Sequence, residues 1–383
     1  MEMKKLQLIM IALFLMSFNG FSQKDTAQTK KAFVPSGKIW GQIFGDYTYK
    51  LNANTFNMGN TQYAAYPKDF NSFDFRRIFL GYDYDISEKF TSAFLLASDG
   101  QIASDGSRSI YIKGANLKWK NIFKNLDLIV GQQQTSTYSV ASATWGYRSL
   151  EKTIMDMRKI GVSYDFGAML QGKFNKNGDY GYSLMIGNGS GTKPENDSFK
   201  KKYADLWGKF FDKKLILDIG GDYEMGQTSP YKKSKTTIKG FISYQTEQFT
   251  IGFEAFNQLQ MNNTTCTEPV PSVLKDTTNA MASGITLFAK GLINSKLGWV
   301  VRYDHYNPDT KFKANDVYAT SYPSFFTESF VLAGLDYTAA KNIHVMPNIW
   351  YDRYDNRAVA FNKLNQTSYD LAARITVFYV FNK

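Results

Sequence analysis

The sequence predicts an all-β protein: a transmembrane antiparallel β-barrel of about 16 strands, with one inward-folded loop that carries a short helix. Three observations lead to this fold class. The chain starts with a secretory leader, continues in segments where polar and apolar side chains alternate, and has connections that are alternately short and long. Alternation alone would also fit a soluble two-sheet protein with its apolar face inward. The leader and the unequal connections favour the barrel, because a propeller or a sandwich gives no physical reason for them.

The N-terminal segment has the three parts of a signal peptide. Lys4 and Lys5 make a basic start, residues 6–18 are apolar, and Gly20 and Ser22 are small residues placed for cleavage. An uncleaved membrane anchor is the alternative, but the apolar run is short and has no stop-transfer flank. We expect the protein in the cell outer membrane of a Gram-negative bacterium. The predicted parts of the chain are a signal peptide (1–22), a short periplasmic N-terminal extension (23–37) and a single outer-membrane β-barrel domain (38–383).

Alternating segments recur along the rest of the chain, and turn residues separate them. They number sixteen, and an even number is typical of single-chain bacterial outer-membrane barrels. The predicted strands are 38–51, 72–86, 89–98, 108–119, 125–134, 158–174, 179–189, 203–211, 214–226, 235–246, 248–261, 279–293, 295–307, 328–339, 342–355 and 368–381.

The connections between these strands follow a second pattern. Short turns such as SEK, FDKK and INSK alternate with long polar loops. A transmembrane barrel has short periplasmic turns on one rim and long extracellular loops on the other, and this pattern therefore indicates such a barrel. The long loops are predicted at 52–71, 135–157, 190–202, 262–278, 308–327 and 356–367.

Alternation also assigns the two faces of each strand. In the last segment, Ile375 and Val377 share one face, and Asp370 and Arg374 share the other. An Arg or Lys on the lipid face at mid-membrane costs roughly 2–4 kcal/mol, so the polar face must line a water-filled lumen. The basic residues that this rule assigns to the lumen are Arg77, Lys239, Lys290, Arg302 and Arg374.

Three further expectations concern single positions. Arg76, the neighbour of Arg77, should point outward or lie at a rim. Trp350 and other aromatic residues near strand ends fit the interfacial girdles of a membrane barrel, although β-propensity alone would also favour them in strands. Phe381 is third from the end of the sequence rather than last, so the signal for the barrel assembly machinery departs from the common pattern.

The sequence contains no recognisable enzyme or cofactor motif. The histidines are His305 and His344 and the single cysteine is Cys266, so a histidine triad, a multi-histidine zinc site and an internal disulfide all lack residues. Asp83 and Asp85 share one face of a strand, which a hydrated wall explains better than a hydrolase pair. We therefore predict a protein that is not an enzyme and has no catalytic, metal or cofactor site.

The formal net charge of +11 limits the partners. Lys and Arg are spread along the chain without a basic arm, and in an exported protein this disfavours nucleic acid. We expect small hydrophilic or anionic solutes in the lumen, and contacts of the basic loops with lipopolysaccharide or outer-membrane lipid.

The segment WGYRSLEKTIMDMRKIGVSYDFG (145–167) interrupts the strand pattern. Its part SLEKTIMDM resembles a short helix, follows small residues at 139–144 and lies in the long loop 135–157. We predict that this loop folds into the lumen and narrows the pore, because a sixteen-stranded barrel is otherwise wide enough for a channel. The alternative is an outward loop with a surface helix. The predicted constriction residues on the loop are the cations Arg148, Lys152 and Arg158, with Glu151 and Asp156 as counter-charges.

The same segment resembles the phosphate-selective porin O/P family of outer-membrane channels. That family has an acidic and basic pair, an apolar stretch, and an Arg that leads into an I-G-V strand. Here Glu151 and Lys152 occupy the pair, and Arg158 precedes residues 160–162. The stretch DYGYSLMIGNG is similar to another strand of the family, with matches at Tyr182, Ser183, Gly187, Asn188 and Gly189.

The stretch FRRIFLGY resembles a third family strand. Arg76 and Arg77 stand in the paired-arginine positions, and Phe79 stands where the family carries another Arg. The resemblance implies a homotrimeric porin whose strands and inward loops present Arg and Lys to a permeating anion such as phosphate. Phe79 implies that one rung of this basic lining is missing.

Two functions remain open at this point. The first is a porin that forms a water-filled channel for passive diffusion of small hydrophilic solutes, with a preference for anions or phosphate. Many carboxylates accompany the luminal cations, however, and a mixed wall would give a general pore. The second is a closed or plugged outer-membrane barrel that acts as a structural or adhesion protein through its long extracellular loops.

Overall fold

The computed structural model describes residues 33–54, 61, 63–99, 103–227, 232–267, 274–312, 326–357 and 367–382, and their side chains except at 227, 263–267, 274–278, 356 and 367. Over these residues, sixteen antiparallel strands pair in one closed ring, which confirms the predicted fold class. None of the helices in this part of the chain is long and apolar enough to cross a membrane. The predicted signal peptide and most of the predicted extension lie outside the described residues.

Each predicted strand corresponds to one strand of the structure. The strands are β1 (Ser36–Asn52), β2 (Asn71–Asp85), β3 (Phe90–Ser98), β4 (Tyr111–Phe123), β5 (Leu126–Gln134), β6 (Tyr164–Lys173), β7 (Tyr180–Gly187), β8 (Lys201–Phe210), β9 (Leu215–Gln227), β10 (Lys233–Gln245), β11 (Phe249–Thr267), β12 (Leu274–Asn294), β13 (Leu297–Asn307), β14 (Phe326–Ala340), β15 (Ile343–Asn356) and β16 (Thr367–Phe381). A 3₁₀ turn (Ser136–Tyr138) and two helices, α1 (Ser139–Trp145) and α2 (Ile154–Met157), lie between β5 and β6.

The barrel closes because β1 pairs with both β2 and β16. Gly41 lies opposite Phe381 and Lys50 lies opposite Ala372 in the pair with the last strand. Each strand therefore has two neighbours, and no strand edge presents a row of unpaired N–H and C=O groups. Such closure is what allows a sheet to sit in hydrocarbon, where water cannot satisfy backbone groups.

The two rims of the barrel differ largely as the sequence predicts, but the predicted long loop 262–278 is wrong for most of its length, because β11 runs to Thr267 and β12 begins at Leu274. Connections from even to odd strands are short, and those from odd to even strands are mostly long. The short-turn rim includes 86–89, 124–125, 211–214, 246–248, 295–296 and 341–342, and the long-loop rim includes 53–70, 99–110, 135–163, 188–200 and 308–325. The connection 228–232 between β9 and β10 is a short one on the long-loop rim.

The predicted faces are also found in the structure. In β16, Ile375 and Val377 are 49% and 44% exposed, whereas Arg374 and Thr376 between them are 2% and 0% exposed. The outer surface is thus apolar and the inner surface polar, the arrangement that a lipid environment favours. Trp350 is an exception to the girdle prediction, because it is only 3% exposed on the inner side of β15.

Arg76 corrects a second prediction, because it points inward and not outward. Phe44 lies opposite Arg77 and Gly45 lies opposite Phe75, so Arg76 is the extra residue of a β-bulge in β2. Arg76 and Arg77 are each 6% exposed. A bulge lets two consecutive side chains share a face, and strict alternation cannot predict it.

Candidate pore constriction

The connection between β5 and β6, residues 135–163, enters the barrel; we call it the constriction loop. Leu150, Ile154 and Met155 on it are completely buried, each at 0% exposure, among side chains of the inner wall. This confirms that the loop folds inward. The predicted strand start at Arg158 is wrong, since β6 begins at Tyr164 and the intervening residues belong to the loop.

The helical parts of the constriction loop differ from the prediction. The longest helix is α1, formed by the small residues SVASATW, and it ends where Gly146 adopts a left-handed conformation with φ of 68°. The predicted helix over 149–157 is wrong for most of its length, because α2 covers only its last four residues. Main-chain contacts of Ser149 and Leu150 with wall arginines, given below, hold the first part in a turn and override its helix propensity.

Apolar side chains anchor the loop to one side of the wall. Trp145 is 1% exposed, and its ring lies edge-on to Phe288 of β12 at 5.1 Å between centroids. Its Nε1 donates a hydrogen bond to the Glu151 carbonyl at 2.8 Å, which ties α1 to the following turn. Farther along, Ile154 packs in a second cluster with Phe256 of β11. The loop is therefore docked as a small hydrophobic core.

Wall arginines also bind the loop by its main chain. The Leu150 carbonyl accepts hydrogen bonds from Arg76 Nη1 at 2.7 Å and from Arg374 Nη2 at 3.0 Å. Arg76 donates in addition to the Ser149 carbonyl. Both guanidinium groups share the buried carboxylate of Asp46 as counter-charge. The turn of the loop is thus fixed to β2 and β16 by charge-assisted bonds.

Two further wall cations bind the backbone of the loop in the same manner. Lys290 Nζ donates to the Trp145 carbonyl at 3.1 Å, and Arg302 donates to the Lys152 carbonyl. Arg302 is itself held by Asp304, with Nη2 to Oδ2 at 2.5 Å. We call Arg76, Lys290, Arg302 and Arg374 the carbonyl clamp. Three of its members were predicted as pore-lining residues, and the structure brings them to the loop backbone.

Lys239 and Arg158, two more predicted site residues, lie in buried ion pairs. Lys239 is between Asp218 and Asp205, with Nζ 2.8 Å from the latter. Arg158 Nε lies 2.6 Å from Glu328 Oε2 on β14. Each of these cations has a carboxylate in direct contact, so much of its charge is balanced locally.

A separate group of charges lies where the loop faces β2, β3 and β4. On the wall, Arg77 Nη1 and Lys113 Nζ approach a single carboxylate, Asp99, at 3.7 and 3.5 Å. The Tyr111 hydroxyl donates to the same carboxylate at 2.8 Å. Two cations therefore share one counter-charge on this part of the wall.

The loop contributes three charges to this group. Arg148 Nη1 binds Asp156 Oδ2 at 2.5 Å. The Lys152 ammonium makes no ion pair with any residue in the described part of the chain, whereas the neighbouring Glu151 is 6% exposed and accepts a hydrogen bond from the Lys152 backbone N–H at 2.8 Å. We call Arg77, Lys113, Arg148, Lys152, Asp99 and Asp156 the aperture cluster; it holds four cations and two carboxylates.

The loop and wall halves of the aperture cluster interact electrostatically. Burial lowers the pKa of the Lys152 ammonium and Arg77 lowers it further, while Asp156 acts in the opposite direction. Burial would raise the pKa of Asp156, but Arg148 and Lys152 hold that pKa below its ordinary value, so the carboxyl is ionised at neutral pH. The four cations of the cluster outnumber its two carboxylates, even when the adjacent Glu151 is counted as a third, so this region carries a net positive charge.

Lys113 is a member that sequence reasoning missed. Its ammonium lies 5.5, 5.7 and 5.3 Å from the ring centroids of Phe79, Tyr111 and Tyr164, within the range of cation–π attraction. Phe79, where the resembled family carries an Arg, faces the lumen and covers this lysine. The alternation rule that assigned the other luminal cations would also have found Lys113, because it shares a face with Tyr111.

One residue of the connection between β1 and β2 also lies in the lumen, which the sequence did not predict. Tyr63, in the loop 53–70, is 3% exposed, and its ring lies 5.7 Å from that of Trp350. Its hydroxyl donates to Asp46 at 3.3 Å, and its carbonyl accepts a hydrogen bond from Lys50 at 2.6 Å. This part of the loop therefore lies beside the carbonyl clamp.

The barrel was compared with known proteins by sequence and by structure. No family model matches the chain, and no curated protein matches it by sequence. Solved structures do match. The outer membrane channel DcaP of Acinetobacter baumannii has a TM-score of 0.63 at 12% identity, over 91% of this chain and 97% of that one. The anion-selective porin of Comamonas acidovorans has a TM-score of 0.58 at 8% identity, over 91% and 100% of the two chains.

The outer membrane protein OmpT of Vibrio cholerae, in its trimer form, has a TM-score of 0.57 at 12% identity, over 91% of this chain and 100% of that one. The chain has a porin fold. At these identities the likeness concerns the fold alone, and the aperture cluster is a property of this chain's own residues.

Two cavities lie in this porin fold between the constriction loop and the short-turn rim. One, of about 570 Å³, is bounded by β4 to β10 and by the α1 half of the loop. The other, of about 370 Å³, is bounded by the turn 246–248, by β12, β14 and β15, and by loop residues that include Gly146 and Ser149. The loop therefore does not fill the barrel down to that rim.

Proposed function

We propose that this protein is an outer-membrane porin, a water-filled channel for passive diffusion of small hydrophilic solutes with a preference for anions. The observation that carries the proposal is the aperture cluster between the constriction loop and the wall, with Arg77, Lys113, Arg148 and Lys152 against two carboxylates. A concentration of cations in a narrow passage raises the local concentration of anions, while incompletely paired charges still let each ion leave.

The unequal pairing of the cations supports this proposal. Lys239 and Arg158 each contact a carboxylate within the wall, and the carbonyl clamp is used to hold the loop. Lys152 has no such partner among the described residues, and Asp99 is shared by two cations. Of the predicted pore-lining residues, Arg77, Arg148 and Lys152 are therefore the ones we propose to meet a permeating ion; Glu151 supports the turn beneath them.

The remaining sequence-based expectations follow from this function. We propose that residues 1–22 are a cleaved signal peptide and 23–37 a short periplasmic extension, and that the barrel domain is inserted in the outer membrane of a Gram-negative bacterium by the barrel assembly machinery. The protein would be a homotrimer, as OmpT of Vibrio cholerae is in its trimer form. Its loops would contact lipopolysaccharide. It would act without cofactor, and not as an enzyme.

A preference for phosphate, as in the resembled O/P family, is the narrower form of the proposal. A divalent oxyanion would face two arginines and two lysines together, namely Arg77, Arg148, Lys113 and Lys152. Phe79, in the place of an Arg, weakens this form because it removes one cation from the wall. Phosphate is therefore a candidate solute within a general preference for anions.

A plugged barrel with a structural or adhesion role is the second candidate. It is favoured by the amount of apolar side chain that the constriction loop and the connection between β1 and β2 bring into the lumen, where Trp145, Leu150 and Tyr63 join one cluster with the wall. In that case the long loops outside the barrel would carry the structural or adhesion function.

Single-channel recording in a planar bilayer decides between the two. We expect stable open steps, a reversal potential of anion-selective sign in a salt gradient, and a reduction of chloride current when phosphate is added. The absence of open steps from correctly folded protein would reject the porin and favour the plugged barrel. A cation-selective potential would reject the anion preference, and chloride current unaffected by phosphate would reject the narrower form.

A further inference from the structure

The larger cavity on the short-turn side has a composition unlike the rest of the lumen; we call it the neutral cavity. Its volume of about 570 Å³ lies within the usual size of small-molecule sites. Loop residues Ser136, Ser139 and Thr144 form one side, and wall residues such as Gln171 and Trp207 form the other.

The polar groups of the neutral cavity are almost all uncharged. Among its described lining residues Lys209 alone carries a charge, and no carboxylate is present. The other polar lining residues carry carboxamides or hydroxyl groups, both of which can donate and accept hydrogen bonds. The carboxamide residues are Asn116, Gln133, Gln134, Gln171 and Gln245. Such a wall matches a solute that is itself rich in hydroxyl groups.

Several of these carboxamides are held in place by hydrogen bonds to neighbouring backbone carbonyls. Gln133 Nε2 donates to the carbonyls of Ile129 and Gly167, each at 3.2 Å. Asn116 Nδ2 donates to the Gln132 carbonyl at 3.3 Å, which leaves its oxygen as an acceptor. A site whose side chains are already oriented loses less conformational entropy when a ligand binds.

Apolar surface is placed between the polar groups. Trp207, Ile129, Met169 and Ile216 line the same cavity. The C–H faces of a sugar ring are apolar, and an indole ring combines a broad apolar face with low conformational entropy. A purely hydrated wall would have no need of this combination, and an anion site would place cations where these residues stand.

We infer that the neutral cavity is a binding subsite for small uncharged polyhydroxylated solutes, of the size of a mono- or disaccharide, on the short-turn side of the constriction loop. The inference rests on the proposed channel, which would deliver the solute, and it extends that channel's substrates from anions to sugars. The aperture cluster would select anions at the constriction loop, and the neutral cavity would hold a hydroxylated solute next to that loop.

Binding is tested apart from conduction. The purified protein, in a detergent without a sugar headgroup, is titrated calorimetrically with maltose, and the same titration is made with Gln171→Leu and Trp207→Leu. We expect saturable binding to the wild type and about tenfold weaker binding to each variant, since each loses one main contact. Gln248→Leu is the matched control, because it makes the same change at the neighbouring turn and lines the other cavity.

Every outcome is informative. Absence of binding to the wild type, or equal binding by all variants, would overturn the subsite. Binding of inorganic phosphate in place of maltose, weakened by Gln171→Leu, would assign the cavity to anions and also overturn it. If Trp207→Leu does not fold, Gln245→Leu replaces it. Maltose binding without open channels would support the subsite and reject the porin. Open channels without maltose binding would support the porin and reject the subsite.

Discussion

At the scale of single residues, similar cations in one lumen have different roles because their partners differ. Arg374 donates to a loop carbonyl, Lys239 contacts two carboxylates, and Lys152 has no ion pair with a described residue. Alternation along a strand predicted which cations point inward, but it contains no information on what each one meets there. Partner choice depends on side chains that are distant in sequence, and a loop contact such as Arg374 with Leu150 spans more than half of the chain.

Lys152→Gln should reduce the anion selectivity of the proposed channel. Removal of one charge at about 5 Å from an ion in water changes the energy of that ion by roughly 0.8 kcal/mol, or about fourfold in relative permeability. Reversal potentials in a salt gradient measure this change. Lys159→Gln removes the same charge from an exposed position of the same loop and should have little effect. Equal shifts in both variants would contradict a local role for Lys152.

The selectivity should also depend on pH through Lys152. Because burial and then Arg77 lower the pKa of this ammonium, it loses its proton at a lower pH than an ordinary lysine does. Anion selectivity should therefore fall as the pH is raised toward the lysine range, and it should fall earlier than for an exposed lysine. Lys152→Arg keeps the charge at this position and should lose less of its selectivity over the same pH range. Identical pH profiles of the two proteins would refute this explanation.

At the scale of elements, the constriction loop is held by both of the forces that stabilise a protein core. Trp145 supplies apolar contact and the carbonyl clamp supplies hydrogen bonds to the main chain. A loop docked in this way is a fixed constriction, with the geometry of its charges set by the wall.

Trp145→Ala should loosen the loop without unfolding the barrel. Loss of a buried Trp typically costs about 3–5 kcal/mol, and here the cost falls on loop docking because the ring touches the loop and the wall. We expect larger or noisier channel conductance and faster proteolysis within the loop. Trp119→Ala, on β4 beside Phe90, removes the same side chain from a position outside the loop contacts and should leave both properties unchanged. A quiet channel of wild-type conductance in Trp145→Ala would contradict the role of this anchor.

The strands could be predicted from sequence because two-residue alternation and turn residues are local signals. The inward direction of the constriction loop was predicted as well, from the need to narrow a wide barrel. The helix was assigned to the wrong part of the loop, since SVASATW has no apolar periodicity and its helix is stabilised by tertiary contact of Trp145. The bulge at Arg76 and the inward position of Tyr63 depend on long-range packing, which leaves no local pattern.

At the scale of the whole molecule, every strand of the barrel is bonded on both sides. The pairing of β1 with β16 means that no strand can leave without breaking two ladders. Unfolding is therefore expected to be slow and cooperative.

The folded barrel should resist denaturing detergent at room temperature. We expect unboiled protein to migrate faster than boiled protein on an SDS gel, because the closed barrel remains compact until it is heated. Trp145→Ala should show the same transition temperature as the wild type, since its ring contacts side chains of the loop and the inner wall and takes no part in the backbone hydrogen bonds of the ladders. A lowered transition in that variant would mean that loop docking contributes to the stability of the barrel itself.

The carbonyl clamp has a consequence for how the proposed channel can change over evolution. Arg76, Lys290, Arg302 and Arg374 recognise backbone oxygens, which every amino acid possesses. Substitutions at Arg148 or Lys152 therefore leave the hydrogen bonds from the wall to the loop backbone intact. Evolution or protein engineering can therefore replace these two residues one at a time while the backbone contacts of the loop stay the same. A new solute preference would then not require a new loop.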